Sequence, residues 1–580
     1  MRLLTIVLLL KISTSLLITG SELIIKKFTK YNINTIFGYT GGSNLHFFDK
    51  LYQNQNINVI VNRNEQCSGY AAEGYAKSSN KLGVVITTSG PGLTNIITPL
   101  QDATSDGVAL LAISGQVHKN KLKTSAFQEC DATAITNTCV KYNKLIKNID
   151  ELDNELEKAI NIALSNRKGA VHLDICSNVF SDTIDYDEIN VCDKKYNIEF
   201  SEKYHSVGDY EIYNNIKRAF LKSEKPVIIV GQGCNKYYEE IRTLCKTHNI
   251  PVCTTLHGLG IIDEYEHNSL GMVGMHGNYA ANMAIQNADF ILGIGYRFDD
   301  RTIGNPYLYG INAKNKKGIA HVDISEEKIN EVKNIINPTY SLKMDVGKFI
   351  NKLNNIDINS HDKNKWFDKI NVWKKHFQFK SNPDMTIQHI SEKLNYKLNK
   401  KQSNYLITTG VGVHQMQVAQ YFTWTVPNSL ITSGSQGTMG VGVPFAMGAK
   451  LANENKIVIC IDGDGSFMMT CQDLQTLSEN NINVKILIMD NESLQMVQNW
   501  QNEFYDSRLS SSKLINPDFV KLANSMGIKA RKCSNLNQLD ETIDEIINSN
   551  YPLLVHFKVK QTKCLPFVPP NNALDEMILS

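Results

Sequence analysis

The chain has 580 residues, too many for one hydrophobic core and enough for three domains of ordinary size. Lys plus Arg total 60 against 58 Asp plus Glu, a formal net charge of +2, which excludes a strong field for nucleic acid or an anionic membrane. Its 12 cysteines form no Cys-x-x-Cys pair and no Cys/His ligand spacing, which argues against a zinc centre or a disulfide framework and leaves them as reduced core residues.

Arg2, the apolar run Leu3 to Leu10, Lys11 and a second apolar patch have the layout of a targeting segment, but the run is too short and interrupted for a transmembrane span. Residues 1–18 are read as a leader, either targeting or dispensable, so the compartment stays open and no stable membrane insertion is expected. The globular pattern is expected to begin near Ser21-Glu22, a polar N-cap before Leu23-Ile24-Ile25. Across 19–185, short apolar strands such as Thr35 to Gly38, Val59 to Val61, Gly83 to Thr87 and Ala109 to Ile113 alternate with helix-length segments. That alternation predicts βαβ units on a parallel sheet. The charged stretch from about Ser181 to Lys203 predicts a linker. A second set, 200–350, has strands at Pro226 to Val230, Pro251 to Thr255 and Phe290 to Ile294. Asn- and Lys-rich sequence from 351 to 384 predicts another crossing before a third set, 385–560, and a tail, 561–580. The predicted class is α/β, with three consecutive domains of mainly parallel sheet.

In the third set, Gly463-Asp464-Gly465-Ser466 closes the apolar run Ile457 to Ile461, and Asn491 follows Asp464 by 27 positions at the end of a second run, Val484 to Met489. A carboxylate and a carboxamide oxygen then converge at two strand ends, where α/β sheets bind ligands. Hard oxygen ligands suit Mg²⁺, which keeps part of its shell for a substrate diphosphate, and the glycines let the backbone approach it. A tight turn after a core strand is the plain alternative.

Gly38-Tyr39-Thr40-Gly41-Gly42, Asn64-Glu65-Gln66, Ala71 to Ala76, Thr88-Ser89-Gly90-Pro91-Gly92 and Ala126-Phe127-Gln128-Glu129 follow in order. After them come Gly271 to Gly277, Arg297-Phe298-Asp299-Asp300-Arg301, Ser433-Gly434 with Gly437-Thr438-Met439-Gly440, and Met496 to Trp500. From residue 20 to the end the series resembles the acetolactate (acetohydroxyacid) synthase family of thiamine-diphosphate enzymes. The resemblance implies a pyruvate-oxidase-like fold: an aminopyrimidine-binding domain, a central FAD domain and a diphosphate/Mg²⁺ domain. It implies decarboxylation of pyruvate and ligation of the two-carbon unit to a second 2-ketoacid, pyruvate or 2-ketobutyrate, at the start of branched-chain amino acid synthesis.

By the same resemblance Glu65 is the carboxylate that hydrogen-bonds the aminopyrimidine ring nitrogen, and its surroundings are expected to raise its pKa by desolvation. Asp464, Asn491 and the Ser493 carbonyl would ligate Mg²⁺. Gly41, His414, Gln415, Gly437, Met439, Gly463, Gly465, Ser466 and Met496 would contact thiamine diphosphate, Met439 from beneath its rings. Arg301 would pair with the second ketoacid's carboxylate, the alternative being a surface Arg neutralising Asp299 and Asp300. Trp500 would line the second-ketoacid pocket, Gln128 would lie near the reacting centre, and Lys141 is the basic residue of a Lys-x-Asn segment. FAD would be held by Arg167, Gly231, Thr255, Leu256, Met275, His276, Gly295, Arg297, Asp323 and Asp345. The implied assembly is a homodimer or tetramer with sites shared between chains, and a regulatory small subunit is left open as a partner; nucleic acid is not expected.

The chain departs from the family pattern at Asn64 (usually His), Cys67-Ser68 (Gly-Ala), Gly410 (usually Asp) and Ser435-Gln436 (Gly-Leu or Gly-Met). A buried, unpartnered Gln436 is expected to cost about 1–3 kcal/mol. The competing readings are a pyruvate oxidase, a catabolic acetolactate synthase, and a catalytically weakened cofactor-binding homologue.

Overall fold

A computed structural model describes residues 16–186, 207–354, 363–377 and 382–580. Most of the expected leader, residues 1–15, and most of the expected linker, 187–206, lie outside these. The fold begins earlier than expected. Leu16–Thr19 is a strand paired antiparallel with Thr183–Tyr186, and Thr19, not Ser21, caps the helix Gly20–Lys30 in a capping box with Glu22. Residues 16–18, which the expected leader included, therefore belong to the first domain.

Three six-stranded sheets follow, each wholly parallel. In the first the spatial order is Asn58–Ile60, Thr35–Gly38, Gly83–Thr87, Leu110–Gln116, Ala170–Cys176, Tyr142–Ile146, which in chain order is 2-1-3-4-6-5. In the third it is Leu430–Ile431, Tyr405–Thr409, Ile457–Gly463, Val484–Asp490, Leu553–Lys558, Lys529–Cys533, again 2-1-3-4-6-5. The middle sheet differs. Its order, Ser269–Met272, Val252–Thr254, Pro226–Val230, Phe290–Ile294, Ile319–Asp323, Tyr340–Lys343, is 3-2-1-4-5-6, the dinucleotide-binding arrangement. The three sets are thus two of one topology flanking a third of another.

The first and third domains share one core, in which Tyr70, Ala71 and Leu100 are continuous with Phe445, Met447 and Leu474. At its centre the helices Glu65–Ser79 and Gly442–Ala452 cross at glycines. A Cβ at Gly448 would fall 1.8 Å from the Ala71 carbonyl oxygen, and one at Gly74 2.5 Å from the Phe445 Cα. Only glycine permits that backbone approach.

The Asn- and Lys-rich crossing is not merely a linker. Asn364–His376 is a helix whose Trp366, Phe367, Ile370 and Trp373 are buried, and Trp366 Nε1 donates to the Pro226 carbonyl at 3.2 Å. The tail returns to the central domain, where Val568 N donates to Met275 O at 2.8 Å and Leu574 is fully buried. Among the described residues every cysteine is a free thiol, and no helix is long and apolar enough to cross a membrane.

Candidate active site

In the third sheet the strand order reverses between Tyr405–Thr409 and Ile457–Gly463, opening a crevice at their carboxyl ends. Asp464 starts the short helix after Gly463 and is 2% exposed, while Asn491 follows the adjacent strand Val484–Asp490. Burial, reinforced by Asp490, pushes the Asp464 carboxyl up to about 6 against an opposing hydrogen bond from Asn516. Asn516 Nδ2 donates to Asp464 Oδ2 at 2.7 Å and to Asp490 Oδ1 at 2.9 Å. Asp490 is itself held by His556 Nε2 at 2.7 Å and Lys558 Nζ at 3.3 Å. Behind one expected ligand there is therefore a polar network that orients it.

Asn491 Oδ1 accepts from Ser493 N at 3.1 Å and Ser493 Oγ at 2.8 Å, and Asn491 Nδ2 donates to Gln495 Oε1 at 2.6 Å. Glu492 between them adopts φ +56°, which folds the loop back towards the Asp464 turn. The Ser493–Lys513 bridge is made through Glu492 O and Ser512 O, so it does not use the Ser493 carbonyl. Ser493 Oγ also accepts from Gln561 Nε2 at 2.9 Å, and Gln495 donates to Thr562 O, tying the C-terminal tail to this loop. Met496 and Trp500 lie on the next helix, Gln495–Phe504, with Trp500 edge-on to Phe504.

The crevice floor carries unsatisfied polar atoms. His414 Nε2 is 3.3 Å from Asp462 Oδ1 without an aligned hydrogen bond, and Asp462 Oδ2 has no partner. Gln415 is spent on Thr432 Oγ1 and Ser433 O, at 2.7 and 2.9 Å. The Ser433–Gly440 loop overhangs the turn, with Met439 Cε 3.8 Å from the Cβ position of Gly465. Ser466 Oγ accepts from Gly440 N at 2.9 Å, which pins that loop to the Asp464 helix. Gly437 has φ +64°, and Val411 Cγ1 lies in ordinary contact, 3.8 Å from its Cβ position. Buried carboxylate, orphaned imidazole nitrogen and left-handed glycine backbone fit a metal-bound diphosphate.

Glu65 opens the helix Glu65–Ser79, only partly buried, and accepts from Asn95 Nδ2 at 2.9 Å. Neither the Asn95 bond nor anything else recorded among the described residues joins it to Asp464. The enclosure expected around Glu65 is thus incomplete within one chain, and Val61 beside it is 41% exposed. Gly41 N is bonded to Asn44 Oδ1 at 2.8 Å, and Gly42 faces open space. Gln128 adopts φ +61° in a segment where Lys123 and Ser125 are also left-handed. Glu129 gathers that segment by accepting from the amides of Lys123, Thr124 and Ala126. Lys141 is placed differently from a reacting group: its Nζ donates to Ile162 O, Ser165 O and Arg167 O at 2.6, 3.0 and 2.8 Å, closing the helix Ile149–Leu164. A Lys beside a strand carries no local signal that separates such capping from chemistry.

In the central sheet the order reverses between Pro226–Val230 and Phe290–Ile294. Gly231 and Gly295 follow these strands so closely that a Cβ at Gly231 would fall 2.2 Å from Gly295 O, and Gly295 takes φ +53°. Thr255 and Leu256 follow the neighbouring strand. Arg297 reaches the first domain, donating to Ser105 O at 2.9 Å, beside Arg167, which donates to Thr104 O at 2.7 Å and to Ser105 O. Asp323 ends the fifth strand and accepts from Ser325 N at 2.8 Å. Asp345 caps the last helix through Lys348 N at 3.1 Å and holds Tyr237 OH. His276 lies against Phe567 at 5.3 Å; its Nδ1 is buried without a partner, and burial lowers its pKa to about 4, so it is neutral. A dinucleotide-type crevice, two converging arginines and an orphaned neutral imidazole fit FAD. Arg301, its side chain 60% exposed, touches Met275 Sδ at 3.3 Å and lies 3.7 Å from Asp300, leaving its guanidinium largely open.

Comparison with known proteins agrees with this architecture. The thiamine pyrophosphate enzyme N-terminal TPP binding domain matches residues 18–135, the central domain 214–353 and the C-terminal TPP binding domain 410–557. The chain is 36% identical to the acetolactate synthase catalytic subunit, mitochondrial, of Saccharomyces cerevisiae, covering 97% of this chain and 84% of that protein. It is 36% identical to the acetolactate synthase large subunit of Lactococcus lactis, over 97% and 96% of the two chains. With the acetolactate synthase isozyme 2 large subunit of Escherichia coli it shares 32%, over 96% and 99%. This chain belongs to the acetolactate synthase family.

Within the acetolactate synthase family its departures have local explanations. Asn64 caps the Glu65 helix, its side chain accepting from Gln66 N at 2.8 Å. Gly410 has no room for a side chain, because a Cβ there would fall 2.0 Å from Asp462 Oδ1 and 2.1 Å from Ser466 Oγ. Gln436 is exposed rather than buried and donates to Ser105 Oγ at 2.9 Å, so the expected penalty does not arise in this chain. Ser435 is bound by Asp106 and Arg297. The acetolactate synthase signature misses Asn516, Asp490 and His556, which approach Asp464 from segments distant in sequence.

Proposed function

We propose that this chain is the catalytic subunit of an acetolactate synthase that joins the two-carbon unit of pyruvate to a second 2-ketoacid, pyruvate or 2-ketobutyrate. The observation that carries the proposal is buried Asp464 beside Asn491 and Ser493, beneath the Met439 loop, in a chain of this family. Thiamine diphosphate supplies a nucleophilic carbon that takes up pyruvate's carbonyl and stabilises the charge left when CO₂ departs. The chain's residues do the rest. Asp464 and Asn491, with the Ser493 carbonyl, would hold Mg²⁺, and His414 and the Gly437 backbone would bind the diphosphate. Met439 supports the rings. Glu65 would share a proton with the aminopyrimidine ring nitrogen; among the described residues no bond joins it to Asp464, and in this reading each site takes Glu65 from a second copy, in a homodimer or tetramer.

Arg301 offers a forked donor set to the acceptor's carboxylate, Trp500 bounds its side chain, and Gln128, held by the Glu129-centred turn, faces the reacting atoms. Gly231, Gly295, Arg297 and His276 of the central domain, with Arg167 of the first, would hold FAD. It has no redox step to perform in the net reaction. A regulatory small subunit and an organellar location accord with fungal relatives named as a catalytic subunit and as mitochondrial. The test is product analysis with pyruvate and 2-ketobutyrate in competition, with Mg²⁺, thiamine diphosphate and FAD supplied. Acetolactate and acetohydroxybutyrate are expected. Glu65→Gln should lower turnover by roughly 10²–10⁴ while retaining cofactor binding. Absence of both products from the wild type overturns the proposal.

A further inference from the structure

Glu73, Asp102 and Asp106 bring carboxylate oxygens within 4.8 Å of one another, and all three are buried. Such a group could hold a metal ion, but Lys77 already supplies the cation. Its Nζ lies 2.9 Å from Glu73 Oε1 and 2.8 Å from Asp106 Oδ2, donates to Thr432 O at 2.8 Å, and rests 4.6 Å from the Phe445 ring centroid. Burial holds Glu73 well above the usual carboxylate range; Asp106, against its own burial, is held well below it by Lys77 and His257. The result is a closed Lys77–Asp106 ion pair at the place where all three domains meet.

Asp106 has a partner in each domain. Lys77 comes from the first, and from the central His257 Nε2 approaches to 3.2 Å, without an aligned hydrogen bond. From the third, Gly434 N donates at 3.1 Å, Ser435 N at 2.9 Å, and Ser435 Oγ donates as well. Ser435 Oγ also accepts from Arg297 Nη1 at 2.8 Å. Asp102 Oδ1 accepts from Ser433 Oγ at 2.7 Å, and Ser433 Oγ in turn accepts from Thr438 N at 3.0 Å. The first half of the Ser433–Gly440 loop is thus clamped by two aspartates of the first domain and one arginine of the central domain. Its second half is clamped on the Asp464 helix by Ser466 Oγ and by Thr470 Oγ1, which donates to Gly440 O at 2.6 Å. Between the clamps lie Gly437 and Met439.

We propose that Asp106 is a positioning residue that couples the flavin site to the thiamine site: it holds Ser435, which binds Arg297, and faces His257 on one side, and it holds Gly434 and Ser435 of the thiamine loop on the other. The inference rests on the flavin reading above. A dinucleotide that fixes Arg297 fixes Ser435 with it, and through Ser435 the loop that carries Met439. The thiamine loop then loses less freedom when its own cofactor arrives, and each cofactor strengthens the binding of the other by the same factor.

The test uses the full chain stripped of both cofactors. Calorimetry measures the Kd of thiamine diphosphate with Mg²⁺, with and without saturating FAD; flavin fluorescence measures the reciprocal Kd. In the wild type both cycles should give the same factor, on the order of tenfold. Asp106→Asn should bring it to about one while both cofactors still bind. Ser435→Ala, which removes the Arg297 link but keeps both backbone bonds to Asp106, should reduce it to less than about threefold and decides the matter if Asp106→Asn does not fold. FAD binding to the wild type with a factor of one overturns the proposal and leaves the flavin reading intact. A wild type that binds no FAD overturns both. Variants that keep the wild-type factor but melt earlier assign Asp106 to folding alone and also overturn the proposal.

Discussion

Placing the family's usual residue at position 410 should damage this protein rather than repair it. Gly410 follows the strand Tyr405–Thr409 at the mouth of the crevice, where a Cβ would lie 2.0 Å from Asp462 Oδ1 and 2.1 Å from Ser466 Oγ. Neither neighbour is free to withdraw. Asp462 Oδ1 accepts from Gly463 N and Ser466 Oγ accepts from Gly440 N, each at 2.9 Å, and Gly442 backs the other Asp462 oxygen. Clearing the contact requires each to move by roughly 1 Å, and overpacking of that kind costs about 1–3 kcal/mol. In Gly410→Asp a second carboxylate joins buried Asp462; at about 4 Å the repulsion is of similar size. A combined 2–6 kcal/mol, taken from the loop proposed to meet the diphosphate, predicts thiamine diphosphate binding weaker by roughly 30-fold to 20,000-fold. Gly410→Ala should show the steric share alone. Calorimetric titration with Mg²⁺ present measures both variants. Gly410→Asp binding within about threefold of the wild type, with an unchanged melting midpoint, would refute the geometry assigned to this turn.

Three further outcomes are expected. Because the Asp464 carboxyl is raised to about 6, chiefly by burial, the entering metal must displace a proton at low pH. Apparent Mg²⁺ affinity should therefore fall about tenfold per pH unit below about 6 and level off above about 7. In the metal-free protein the same group contributes stability below its unfolded pKa of about 4, lost as pH rises through the folded value; a flat magnesium titration between pH 5 and 7 speaks against both signs. Gly448→Ala drives a methyl into Ala71 O and should lower the melting midpoint of the joined first and third domains by several degrees, from about 1–3 kcal/mol of strain. An unchanged midpoint on calorimetry counts against the crossing. Lys141→Met removes three bonds to carbonyls and should destabilise by about 2–3 kcal/mol while kcat stays within about threefold. A loss of kcat above about 100-fold at constant midpoint returns Lys141 to the chemistry.

The parts legible in the sequence are those written in local pattern. Apolar runs ending in glycine announced the strands, and the Gly463 to Asn491 spacing announced two polar side chains at adjacent strand ends, because a parallel strand places its last residues at one sheet edge. Strand order was not legible, since crossovers set it rather than any window of residues; the identity of the first and third sheets and the different order of the second emerged only from pairing. Asn364–His376 was hidden by its lysines and asparagines, although Trp366, Ile370 and Trp373 sit at helical spacing. Asp106 was hidden for a different reason. Its chemistry depends on Gly434 and Ser435, more than 300 positions away, and on His257 in another domain. Gly410 read as a loss, yet the neighbouring Asp462 occupies the space a side chain there would need.

The reaction proposed for this chain is carboligation of a ketoacid at the site built on Glu65, Asp464 and Asn491. Its most direct test is the stoichiometry of carbon from labelled pyruvate, using purified full-length protein with Mg²⁺, thiamine diphosphate and FAD. One CO₂ should be released for each acetolactate formed and two pyruvates consumed. CO₂ released with acetate, acetyl phosphate or acetaldehyde in place of acetolactate, or no CO₂ with both cofactors bound, would contradict it.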